Sequence, residues 1–178
     1  VACYVNNHMY PHDGYPLTYG LVLKLSKKFE VMGEIRVREF SLHYSGHVLR
    51  ALGSNLYYGS RDGIFEILQD GSAVKIIGNN GQISFTLDDN YFYSVNYFLH
   101  GKAWSEIRKI DRNGSIVSTY KIDASFLLDI EIWADYLIAV GQKWSYDESG
   151  HVANRRGLII IIDKHTFSVV KEIILRLS

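Results

Sequence analysis

The sequence predicts an all-β chain built from four similar units, three of them with four antiparallel strands and a first that lacks one. Three observations point this way. One segment recurs four times, as LVLKLSKKFEV (Leu21 to Val31), IFEILQDGSAV (Ile64 to Val74), IRKIDRNGSIV (Ile107 to Val117) and IIIIDKHTFSV (Ile159 to Val169), at spacings of 43, 43 and 52 residues. A near-fixed period of that size marks a repeat architecture. Thirteen tyrosines, eight phenylalanines and three tryptophans accompany only two prolines, and flat or branched side chains suit a pleated surface. No window sustains a 3.6-residue apolar period, so little helix is expected.

Within each copy, the segment reads as an alternating apolar strand, a short polar turn and a second apolar strand opening on valine. These are the third and fourth strands of a unit. Upstream of the later copies another piece recurs: HVLRALGSNLYYGS (His47 to Ser60), QISFTLDDNYFYSV (Gln82 to Val95) and DIEIWADYLIAVG (Asp129 to Gly141). Aligned on Asn55, Asn90 and Asp135, the positions three, five and seven residues earlier are apolar in eight of nine cases, the period of a strand. Asn, Asp, Gly and Ser at the connections supply turn chemistry. The second unit therefore places strands near 48–52, 55–60, 64–68 and 73–77; the third fills 83–122 and the fourth 128–175. In the first unit the chain opens inside the second strand, Val1 to Val5, and the first strand is absent. The units cover approximately 1–38, 47–78, 82–123 and 127–176 within a single domain spanning 1–178.

Stretches such as Gly53-Ser54-Asn55-Leu56-Tyr57-Tyr58-Gly59-Ser60-Arg61-Asp62-Gly63-Ile64 resemble the β-propeller superfamily, most closely its WD40-like and quinoprotein-like repeats. The resemblance covers all four units as architecture. No Trp-Asp dipeptide closes a third strand, those positions carrying Ile67-Leu68, Ile110-Asp111 and Ile162-Asp163, and the Gly46-His47 pair does not recur, so no individual family is indicated. The resemblance implies four-stranded blades around a channel, with the first strand of each blade innermost. Three complete blades and one lacking its inner strand suggest part of a larger propeller of about six to eight blades, or a piece completed by another copy of the chain. A compact four-bladed ring is the alternative.

Composition bounds the partners. Nineteen basic and 19 acidic side chains in 178 residues leave no net charge, and hence no field to draw in a nucleic acid. The single cysteine, Cys3, excludes an internal disulfide and suits a reducing, cytoplasmic setting; in the apolar run VACYV it reads as a buried, inert thiol. The longest apolar stretches, such as Leu158 to Ile162, are too short to cross a bilayer.

The units differ in length mainly at the connection between second and third strands: Arg61 to Gly63 in the second, Asn96 to Ala103 in the third, Asn6 to Pro16 in the first and Gln142 to Arg156 in the fourth. In propeller blades this connection shares one face with the link between blades, making that face the expected working surface. Six of seven histidines fall there, His165 alone mapping to the other. His8, His12 and Asp13, with His43 and His47 from the next connection, offer imidazoles and a carboxylate suited to a divalent metal ion such as zinc; solvated loop histidines are the plainer reading. The fourth loop combines Trp144, Tyr146, Asp147, His151 and Arg155, with Trp104 beside it, a set suited to stacking on a sugar or capturing a peptide or protein. Packing of Trp144 and Tyr146 onto their own blade is the competing account. Asp129 and Glu131 occupy the polar phase of an inner strand, as an acid/base pair, a cation site, or carboxylates paired with an arginine such as Arg50.

No phosphate loop, nucleophile elbow or Cys/His metal spacing appears. The leading functional expectation is a binding module whose loop-bearing face holds a protein, peptide or glycan. The alternatives are a propeller-type hydrolase or lyase, metal-dependent through the loop histidines, and a structural or assembly subunit that self-associates through its open blade faces.

Overall fold

The computed structural model describes residues 2–6, 20–25, 28, 30–37, 48–60, 63–78, 82–98 and 102–175. Fifteen strands account for most of them, with no helix among the described residues. The first sheet comprises β1 (Ala2–Asn6), β2 (Gly20–Leu25) and β3 (Val31–Val37). The second holds β4 (Val48–Leu52), β5 (Asn55–Ser60), β6 (Gly63–Ile67) and β7 (Ala73–Ile77). In the third are β8 (Gln82–Leu87), β9 (Tyr91–Phe98), β10 (Trp104–Asp111) and β11 (Ile116–Asp123). The fourth contains β12 (Ser125–Trp133), β13 (Tyr136–Tyr146), β14 (Val152–Asp163) and β15 (Val169–Leu175). Every sheet is an antiparallel meander in chain order.

Alternation along the strands decides how the sheets stack. Leu137 and Ala139 on β13 oppose Ile162 and Ile160 on β14, so their side chains share one face. That face meets Tyr93, Val95, Ile107 and Ile122 of the third sheet in a continuous core. The third sheet's other face, through Phe85, Phe92 and Ile110, packs on Tyr57, Ile64 and Ile77 of the second. Tyr58 and Ile67 form a further cluster on the second sheet's remaining face. Ile64, Phe85, Leu137 and Ile160 are fully buried, and burial of such a side chain is worth about 1.5–3 kcal/mol. The first strands of successive sheets come together, β4 beside β8 and β8 beside β12.

Turn chemistry accounts for the connections. In the third sheet the Asp111 carboxylate accepts from the amides of Asn113 and Ser115, while the amide of Gly114 donates to the Asp111 carbonyl. The second sheet uses the same turn from Leu68 to Ser72, with Asp70 bonding Ser72. The fourth is one residue longer, Asp163 to Ser168, and puts Phe167 at φ 55 where the others have glycine. Packing of the Phe167 ring against the core offsets the left-handed backbone.

Two details depart from the sequence expectation. The four aligned valines are not equivalent in register: Val31 pairs with Leu25 and Val169 with Ile162, Val74 opposes Glu66, and Val117 is the extra residue of a bulge between Ile116 and Ser118. The outer strands tolerate this because Val31, Val74 and Val117 are exposed. Leu128, the apolar position seven residues before Asp135, is 45% exposed, because a bulge between Leu127 and Asp129 hands the buried position to Leu127. Gly141 lies opposite, where a Cβ would come within 2.3 Å of the Phe126 carbonyl oxygen. The third sheet carries the same irregularity between Gln82 and Ser84.

Candidate binding site

The fourth unit's long loop is largely a hairpin. Residues Gln142 to Tyr146 continue β13 and Val152 to Arg156 begin β14, leaving only Asp147 to His151 as a connection. Trp144 and Arg155 are therefore cross-strand partners on paired strands, and Tyr146 pairs with Val152. The period-two order Gln142, Trp144, Tyr146 extends the ladder instead of ending it. In the third unit Asn96, Tyr97 and Phe98 likewise belong to β9, and Trp104 opens β10 opposite Phe98. The 147–151 tip repeats the turn of the outer connections: Asp147 accepts from the His151 amide, and Gly150, at φ 82, donates to the Asp147 carbonyl. An oxygen of Asp147 is thus engaged in shaping the turn, while the His151 ring stands 84% exposed.

Two cation-capped aromatic stacks occupy this end of the third and fourth sheets. Phe98 and Trp104 stack with centroids 4.0 Å apart, and the Lys121 ammonium lies 4.6 Å over Trp104. Phe126 and Trp144 stack at 5.8 Å, with the Arg155 guanidinium 5.1 Å from Trp144. Tyr97 meets Phe126 edge-on at 4.7 Å and joins the two sheets. The Trp144 indole donates to Gln142 at 3.0 Å, and the Tyr146 hydroxyl accepts from the Ala103 amide at 2.7 Å. Trp144 and Tyr146 therefore pack on their surroundings while remaining half-buried.

Beside the second stack, a concave pocket of about 140 Å³ is lined by Lys143, Trp144, Ser145, Asn154, Arg156 and Ile174. Lys143 donates to the Asp123 carbonyl at 3.0 Å and lies 3.8 Å from Glu172. Sequence reasoning placed Lys143 and Arg156 in this segment without making them site residues. Their juxtaposition depends on the register Lys143 with Arg156 and Ser145 with Asn154, which a loop reading conceals.

Asp129 and Glu131 form a separate cluster at the inner strands. Arg50 of β4 donates to Glu131 and to the Phe85 carbonyl, and lies 3.8 Å from Asp129. Ser84 donates to Asp129, and Thr86 to Glu131 at 3.4 Å. One arginine thus reaches across β8 to both carboxylates, the structural option among those the sequence left open. His8, His12, Asp13, His43 and His47 lie outside the described residues. Among the described residues no group of three or more His, Cys, Asp or Glu side chains could hold a metal ion, and no helix is long and apolar enough to cross a membrane. Trp133, which sequence reasoning passed over, stands 67% exposed at the opposite end of the fourth sheet.

No family model matches the chain, and no curated protein matches it. Among solved structures it is similar to a protein of unknown function from Bacteroides caccae, with 11% identity over 87% of this chain and 68% of that one, at a TM-score of 0.43.

Proposed function

We propose that the chain is a propeller-type interaction module that captures a protein, peptide or glycan at the end of its third and fourth sheets where the second and third strands connect. Face-to-face stacking of four-stranded meanders with their first strands together supports the propeller reading. The observation that carries the binding role is the pair of cation-capped aromatic stacks, Phe98 with Trp104 and Phe126 with Trp144, held side by side by the Tyr146 bond to Ala103. Rigid, half-exposed aromatics next to a concave pocket bind sugars and peptide side chains with little entropy to lose. Engagement of Asp129 and Glu131 by Arg50, Ser84 and Thr86 supports a structural role for that pair.

Glycan and peptide arrays probed with the chain and with Trp104→Ala test this. Capture of a defined set, lost in the variant while its melting curve stays cooperative, is the expected result. Absence of capture, or capture indifferent to Trp104, removes the proposal.

A further inference from the structure

The pocket beside Trp144 holds one cation, Arg156, that contacts within the described residues do not explain. Lys143 and Arg156 are directly opposed across β13 and β14, with their side chains on one face. Like charges so placed repel, at a cost of a few tenths to about 1 kcal/mol. Arg155 adds a third cation next in sequence, capping Trp144 on the other face. Lys143 is engaged within the fold, donating to the Asp123 carbonyl at 3.0 Å and forming an ion pair with Glu172 at 3.8 Å, whereas the Arg156 guanidinium has no hydrogen-bond or ion-pair partner among the described residues. An unpartnered guanidinium set opposite a second cation in one concavity points to an anion from outside the chain.

The other lining groups narrow the class. Ser145 and Asn154, also opposed across the hairpin, both donate and accept hydrogen bonds, which suits hydroxyls more than a second charge. Ile174 adds an apolar side, and the concavity of about 140 Å³, open to solvent, is on the scale of a single ring. We infer that this pocket is a subsite for an acidic sugar: Arg156 and Lys143 take the carboxylate, Arg156 by its planar fork, while Ser145 and Asn154 take ring hydroxyls. This rests on the reading of this end as a ligand-capturing surface and specifies one ligand for it.

The experiment is titration calorimetry of the whole chain with an oligogalacturonate, a neutral galacto-oligosaccharide of equal length and an oligoglutamate peptide. The acidic sugar should bind at least about tenfold more tightly than the neutral one, as a charge-assisted contact provides. Arg156→Ala should erase that difference with circular dichroism unchanged, and Arg156→Lys should keep part of it. Equal binding of both sugars, tighter binding of oligoglutamate, no binding of the acidic sugar, or an acidic preference surviving in Arg156→Ala would overturn the inference. Should array capture depend on Trp104 but not on Arg156, the subsite fails while the interaction module stands.

Discussion

The phenolic oxygen of Tyr146, on the fourth sheet, accepts a hydrogen bond from the backbone amide of Ala103, just ahead of β10 of the third, at 2.7 Å. Ala103 is 2% exposed, so its amide has little access to water. Tyr146→Phe should destabilise the chain by about 1 kcal/mol, the usual net worth of such a bond. It should also raise exchange of the Ala103 amide, read by hydrogen exchange and mass spectrometry. Unchanged exchange would mean that this hydrogen bond contributes little to holding the two hairpins together.

The Arg50 cluster should prove weak pair by pair. Glu131 and Asp129 side chains are 54% and 49% exposed, and solvent screens charge pairs of that kind to under about 1 kcal/mol. A double-mutant cycle of Arg50→Ala with Glu131→Gln should therefore give a coupling below that figure, shrinking further in 1 M salt. A coupling of several kcal/mol would assign the cluster a larger role than its exposure allows.

Asp88 sets an acid limit. Burial pushes its pKa up, but amide hydrogens from Asn90 and Tyr91, the Lys164 ammonium at 3.1 Å and the Tyr93 hydroxyl outweigh burial and hold it below the usual 3.8. Asp70 is lowered too, by the hydroxyl and amide of Ser72, and Asp163 by the amide and hydroxyl of Thr166. A carboxyl with a depressed folded pKa stabilises the native state above its unfolded pKa, and loses that contribution as pH falls through the folded value. Urea midpoints should be level from pH 7 to 5 and fall below about pH 4. Asp88→Asn should start lower and show a shallower acid slope.

Two glycines in the same turn type separate backbone conformation from crowding. Gly150, at φ +82, has nothing within 4 Å of where a Cβ would stand. For Gly114, at φ +86, that Cβ would lie 2.4 Å from the Ile76 carbonyl oxygen on the second sheet. Gly150→Ala should cost about 1 kcal/mol, the strain of a left-handed alanine. Gly114→Ala should cost on the order of 3 kcal/mol or more, since a backbone atom must move as well. Equal losses in thermal unfolding would show that the second sheet yields at that contact.

Strand content and the repeated turns were legible because period-two alternation and Asp, Gly and Ser punctuation are local signals. Register was not. Leu127 and Leu128 are both leucine, so no composition marks which one the bulge expels, and the valines drift because the turn before Val169 is longer and a bulge takes Val117 out of the ladder. The site was half legible. Trp104, Trp144, Tyr146 and Arg155 stand out by residue type, and the arginine option for Asp129 and Glu131 followed from strand phase. Lys143 facing Arg156 exists only once the hairpin is paired, and charged, glycine-bearing sequence around Asp147 to His151 reads as a loop until its turn geometry is seen.

That geometry bears on how the chain can be remade. The connection between Asp147 and His151 closes on its own hydrogen bonds, and Glu148, Ser149 and Gly150 are all exposed. A fluorophore, an affinity tag or a foreign segment inserted there would hang from an already formed hairpin, a few residues from the pocket yet outside it. The tip is therefore a graft point from which occupancy of the neighbouring surface can be reported.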